Sequence, residues 1–263
     1  MKTRYEVTIS RRFFKIWRRN FTVYKKIWLI SFLPPLLEPL FYLFAFGAGL
    51  GALVGAVMYK GSMVSYGAYI APALIAVNIM YSAFFENTFA SFVRMFYQKT
   101  FDGMLATPLS LDEIITGEIV WGATKSVFAT ALMLAVISAF GLLTFPHALL
   151  LLPLAFVGGF AFGSIGMFFT GIVPTIESFN LPVFLFITPM FLFSGTFFPA
   201  DNLPGWARGA ALAFPLTHLV NLSRAVSFGE LQGRLLLHLL YLVLFSAVFF
   251  PLALLTMRKR LIR

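Results

Sequence analysis

The sequence predicts an all-α polytopic membrane protein with six transmembrane helices. Only 11% of its 263 residues are charged and 60% are hydrophobic, against roughly 25% charged in ordinary soluble domains. Apolar stretches recur along the chain, each near or above the roughly 20 residues that cross a bilayer as a helix. These runs are continuous and lack the every-second-residue alternation of a β-barrel strand.

Taken in order, the expected spans cover about 28–53, 66–91, 114–143, 149–172, 179–198 and 235–257. The first contains Pro34, Pro35 and Pro39, which predict a kink or a broken start. Ahead of it, residues 9–24 follow helical spacing: Ile9, Phe13, Ile16, Phe21 and Tyr24 share one side, and Arg11, Arg12, Lys15, Arg18 and Arg19 cover much of the rest. Such a helix lies along the interface with its basic side toward anionic lipid heads. This N-terminus does not read as a cleavable signal, because its first 26 residues have no short apolar core followed by small residues.

Lys and Arg set the expected orientation. Nine lie in residues 1–27, and with Arg94, Lys99 and the four of the C-terminal tail they make fifteen on one side. Lys60, Arg208, Arg224 and Arg234 fall on the other. The positive-inside rule then puts both termini in the cytoplasm. On the opposite side, residues 199–234 form the longest connection. Asn202, Pro204 and Gly205 are start and breaker signals, and Trp206, Ala210, Phe214, Leu216, Leu219 and Leu222 give a broken apolar pattern. One or two short helices dipping into the outer interface are expected there. No internal repeat is visible, so an inverted-repeat transporter gains no support.

Between the second and third spans lies a polar island, Arg94 to Glu118, reading RMFYQKTFDGMLATPLSLDEIITGE. Phe101, Met104 and Leu105 sit at i, i+3 and i+4, the spacing of one helix face, with Asp102 and Thr107 flanking them. Pro108 stops this helix. Ser110 and Glu113 form a capping-box pattern that starts the next. The expectation is a short cytoplasmic helix with a small exposed apolar face, able to act as a lever on two spans.

The spans hold few charges: Glu38 in the first, Glu86 in the second, Glu118 and Lys125 in the third. Each is costly near the bilayer centre and needs a partner or water. Lys125 is expected to pair with Glu38, Glu86 or both. That pairing reads as a structural ion pair, as polar lining that touches substrate, or as a proton relay. Gly47, Gly51 and Gly55, and again Gly159 and Gly163, recur four apart and let helices approach closely.

Several classes are excluded. There is no cysteine, hence no disulfide or thiolate chemistry. No metal cluster, nucleophilic triad or cofactor motif is present, and Gly117–Gly122 followed by Ala-Thr-Lys-Ser lacks the Gly-Lys-Ser/Thr of a phosphate loop. The net charge of +10 reflects topology, not nucleic-acid binding.

Four segments in order resemble one family: WRRNFTVYKK at 17–26, EPLFYLFAFGAGLG at 38–51, FDGMLATPLSLDEIITGEIVWGATKS at 101–126 and TPMFLFSGTFFPADNLP at 188–204. The chain resembles the membrane subunit of an ABC-2 type exporter, in the nodulation-protein-J-like branch, over nearly its whole length. The resemblance implies a single transmembrane domain spanning residues 1–263. It further implies a connecting helix at 9–24, a coupling helix at about 97–108 and re-entrant helices within 199–234. Phe101, Asp102, Met104, Leu105 and Thr107 would contact a separate nucleotide-binding ATPase subunit, present in two copies around a homodimer of this chain. ATP and Mg would belong to that partner. The substrate would be amphipathic or lipid-linked (a lipo-oligosaccharide, glycolipid or hydrophobic drug), moved outward across the bacterial inner membrane. The rival reading is an ATPase-independent secondary transporter or channel using Glu38, Glu86 and Lys125. A non-transporting membrane scaffold is a third.

Overall fold

A computed structural model describes residues 9–29, 33, 37, 40–199, 202–230, 233 and 235–262. Ten helices dominate it. They are α1 (Phe13–Lys26), α2 (Leu40–Val54), α3 (Tyr66–Tyr97), α4 (Thr100–Leu105) and α5 (Leu111–Ala139), followed by α6 (His147–Ile172), α7 (Glu177–Phe193), α8 (Gly205–Leu212), α9 (Pro215–Phe228) and α10 (Leu235–Leu261). One antiparallel hairpin, β1 (Ala56–Tyr59) and β2 (Ser62–Ser65), links α2 to α3 with Ala56 opposite Ser65. Its two-residue turn uses positive φ at Lys60 and Gly61, the backbone that matches the twist of a tight hairpin.

Among the described residues, four helices are long and apolar enough to cross a membrane: α3, α5, α6 and α10. The expected first and fifth spans are represented by shorter apolar helices, α2 and α7. Part of the first, with Glu38 and its three prolines, lies outside the described residues. The fifth ends at Phe193 rather than continuing to residue 198, because Gly195 takes φ +72° and turns the chain out of the helix.

α3 runs six residues further than its apolar pattern indicates. It passes through two wide turns at Glu86–Ala90 and Val93–Tyr97 and stops at Lys99, which adopts φ +52°. Arg94 therefore belongs to a helix interior and not to a solvated island. α5 begins where expected, with Ser110 accepting from the Glu113 amide and the Glu113 carboxylate accepting from the Ser110 amide.

α3 lies at the centre, contacting α5, α6 and α9, while α10 packs along α6 and leaves Leu236, Leu237, Leu240 and Leu244 exposed. The core divides in two. One cluster joins α3, α5, α6 and α9 around Ile75, Ile79, Phe162 and Leu219. The other gathers Ile16, Phe92, Phe101, Ile115, Phe179 and Leu254 at the opposite end.

Glycines set the closest approaches. Gly159 brings α6 to within 2.9 Å of the Ala123 Cα, measured from where its own Cβ would be. A Cβ on Gly117 would lie 2.6 Å from the Ile16 Cβ, so α1 is seated directly on α5. The first glycine series behaves differently: Gly47, Gly51 and Gly55 line a cavity of about 350 Å³ with Tyr66 and Phe140. Gly47 and Gly51 also meet α3 at van der Waals distance, with 3.9 Å from the Gly47 Cα to a Cβ built on Gly67 and from a Cβ built on Gly51 to the Tyr66 Cβ.

Among its described residues, the 199–234 connection holds two helices, α8 and α9. What the pattern did not reveal is Arg224, which is 3% exposed on α9. Its guanidinium lies 3.8 Å from the Tyr69 ring centroid and donates to the carbonyls of Tyr69 (3.1 Å), Gly195 (2.6 Å) and Thr196 (3.1 Å). Two of these carbonyls are those released where α7 breaks. A charged donor thus satisfies backbone acceptors that the bend would otherwise bury unpaired.

Gly117→Ala is expected to lift α1 from α5 and cost about 1–3 kcal/mol. Gly103→Ala, with nothing within 4 Å of the added methyl, is expected to be neutral or slightly stabilising. Tryptic cleavage at Arg18 and the thermal midpoint of the purified protein would distinguish the two.

Candidate functional site: a buried charge network and the helix beside it

Where α1, α3 and α5 meet, four charged side chains form one chain of contacts. Glu118 is fully buried. It accepts from Arg94 Nε (2.9 Å), Ser91 Oγ (2.8 Å) and Asn20 Nδ2 (2.7 Å). Arg94 reaches Glu86 with its other terminal nitrogen at 2.8 Å. Glu86 also accepts from Lys125 Nζ at 2.8 Å and from the Trp121 indole at 3.1 Å. Two carboxylates and two cations are matched, and the remaining lone pairs are filled by neutral donors. Burying such charges is tolerable only with this degree of satisfaction.

Local sequence explains the placement. On α5, Glu118, Trp121 and Lys125 are separated by three and four residues and share one face. On α3, Glu86, Ser91 and Arg94 fall in or beside the wide turns, which are common at functional sites. Asn87 Nδ2 fits against Gly122 and Gly163, where added Cβ atoms would lie 2.0 and 2.8 Å away. α1 contributes Asn20 and a hydrogen bond from Trp17 Nε1 to Thr124 Oγ1 at 2.9 Å.

The structure thus brings together Glu86, Glu118 and Lys125, while Glu38 lies outside the described residues. Asn20, Ser91, Arg94 and Trp121 join them, and the sequence pattern assigned none of these. A signal existed for Arg94: it follows Glu86 by eight residues in a run with no breaker before Lys99.

The α4 segment needs a correction. The face formed by Phe101, Met104 and Leu105 is not exposed. Phe101 is completely buried in the second core cluster, and Met104 and Leu105 are half-buried against it. An apolar face on a short helix finds lower free energy against the bundle than in water. The exposed side is instead Asp102, Gly103, Ala106 and Thr107, continued by Phe96, Tyr97 and Lys99. Arg12 Nη1 donates to the Pro108 carbonyl at 2.6 Å, Glu113 binds Ser10 and Arg12, and Arg258 of α10 pairs with Asp112. The segment that follows α4 is therefore tied to α1, and the start of α5 to α1 and the end of α10.

A groove of about 510 Å³ opens beside the network, between α1 and α3. Arg19 stands in its wall. Burial pulls the Arg19 guanidinium below its ordinary pKa, Glu118 opposes this, and Arg94 adds to it. An arginine so shifted still carries its charge at neutral pH. Among the described residues no cluster of three or more His, Cys, Asp or Glu could hold a metal ion.

Comparison with known proteins gives a consistent picture. The ABC-2 type transporter family model matches residues 11–228. Nodulation protein J of Rhizobium leguminosarum bv. trifolii is 39% identical, over 94% of this chain and 93% of its own. Nodulation protein J of Rhizobium meliloti (strain 1021) is 35% identical over 94% and 92%. The inner membrane transport permease YadH of Escherichia coli (strain K12) is 24% identical over 78% of each chain.

Arg94→Met leaves two buried carboxylates without their shared cation and is expected to cost about 3–5 kcal/mol. Lys125→Met leaves Glu86 still held by Arg94 and Trp121 and should cost distinctly less. Thermal unfolding of both variants in detergent checks this order; equal losses would mean that Arg94 is not the centre of the network.

Proposed function

This chain belongs to the ABC-2 type transporter family and is a membrane transport subunit, and from that premise we propose that it is the spanning half of an ATP-driven exporter. The family implies an ATP-binding partner subunit. In this reading, two copies of that subunit act on a homodimer of this chain, bind the ATP and Mg, and press on α4. Six spans, with α2 and α7 as the first and fifth, and cytoplasmic termini complete the arrangement in the bacterial inner membrane.

The observation that carries the proposal is the fastening of α4. Phe101 anchors it in the core while its outer side stays open. A force on Asp102 or Thr107 is transmitted through Phe101 to α3 and α5, through Pro108 and Arg12 to α1, and from α5 through Asp112 and Arg258 to α10. The charge network then keeps α1, α3 and α5 moving together. An amphipathic or lipid-linked substrate, of the lipo-oligosaccharide kind that the family branch implies, would move outward along the dimer interface. Glu86 is engaged by both Lys125 and Arg94, an arrangement that suits a structural pair better than the ion path of a secondary transporter.

Asp102→Arg and Thr107→Trp are each expected to abolish co-purification of the ATPase subunit and substrate export, with membrane insertion and thermal midpoint unchanged. Phe101→Ala should instead lower stability by about 3–5 kcal/mol. Full transport in proteoliposomes by this chain without an ATPase subunit would overturn the assignment.

A further inference from the structure

The groove between α1 and α3 has two chemically different parts. Its more buried part holds Arg19, Arg94, Lys125 and Glu86; its more exposed part is largely apolar, with Val23 and Ile27 from α1 and Phe89 and Val93 from α3, and the exposed Gln98 at the rim. Val23 and Ile27 are 45% and 47% exposed. The groove therefore offers a charged floor and a greasy mouth.

Among the described residues, the charges on the floor do not cancel. Arg94 is consumed by Glu118 and Glu86, and Lys125 takes the second Glu86 oxygen. Arg19 donates 2.8 Å to the neutral Asn20 amide oxygen and makes no salt bridge among the described residues. Among the described residues, Glu86 and Glu118 counted against Arg19, Arg94 and Lys125 leave one positive charge in a half-buried place. Lys125 Nζ also has further protons to give beyond its bond to Glu86, and its side chain is 24% exposed toward the groove.

We propose that this groove is a binding site for one anionic phospholipid, whose phosphodiester sits between Arg19 and Lys125 and whose acyl chain runs out over Val23, Ile27, Phe89 and Val93. A single phosphodiester charge neutralises the surplus cation and supplies unshared oxygens to both donors. The apolar mouth distinguishes a lipid from a free anion, since inorganic phosphate would leave it unfilled, and the roughly 510 Å³ volume suits a ligand larger than that ion. The lipid would bridge α1 to α3 and α5 as a fixed component of the bundle. This site stands whether or not the chain exports a lipid-like substrate, because it is defined by binding to the protein alone.

The test uses the full chain in detergent, with phosphatidylglycerol, phosphatidylcholine or inorganic phosphate added, read by native mass spectrometry and thermal shift. Phosphatidylglycerol is expected to bind one per chain and raise the midpoint, and the other two are expected to do neither. Arg19→Gln should weaken phosphatidylglycerol binding at least about tenfold, a loss typical of one charge-assisted contact. Arg19→Lys should retain most of it. Arg18→Gln removes the same charge from an exposed position of α1 and should bind normally. Ile27→Trp keeps every charge and blocks the mouth, so it should also lose the lipid even if Arg19→Gln folds poorly. Equal weakening by Arg18→Gln and Arg19→Gln, an equal response to inorganic phosphate, or undiminished binding by Ile27→Trp would each overturn the proposal.

Discussion

The contact on which the rest depends is Arg94 between Glu118 and Glu86. A guanidinium offers donors on two edges, and here each edge meets a carboxylate from a different helix. Neither carboxylate would be stable in an apolar bundle alone. Their mutual compensation is what permits α3 and α5 to carry charge where they pack. The same atoms then recruit α1, because Glu118 still has lone pairs to fill and Asn20 fills one. The close seat of α1 on Gly117 follows from that bond and reinforces it.

A second constraint of the same kind operates at the other face. The break after α7 turns the chain out of the helix at Gly195 and leaves backbone carbonyls to be satisfied. Arg224 takes them, and its cation also stacks on Tyr69. The two ends of the bundle are thus pinned by arginines used in different ways. One balances formal charges, and the other serves dipoles. Between them the packing is made by glycines and aliphatic side chains, which hold helices at fixed spacing without directional bonds.

Function in this reading is a consequence of stiffness. α4 has only six residues, too few to be stable alone. It is ordered because Phe101 is inserted in the core and because Arg12, Glu113 and Asp112 tie its surroundings to three other helices. Part of this was readable in advance: the Ser110–Glu113 cap is a local pattern, and the end of α4 before Pro108 follows from a breaker. The direction of its apolar face was not readable. Phe101, Met104 and Leu105 share a face by spacing, and spacing is silent on whether water, a partner or the bundle covers it.

The sequence by itself determined the class of fold, the approximate places of the apolar helices, the caps and breaks, and the need of Lys125 for a carboxylate. These follow from short-range rules: hydrophobic length, helical period, proline and glycine backbone limits, and the cost of an unpaired charge. Tertiary structure alone decided that, among the described residues, Lys125 meets Glu86, that Arg94 and Arg224 are interior, and that Phe101 is an anchor. The physical reason is that lipid and protein interior are almost equally apolar. A membrane helix shows little contrast between its faces, so its sequence reveals that it is buried but not against what. Only the packed arrangement of α1, α3 and α5 resolves that, through the few polar atoms that must find each other.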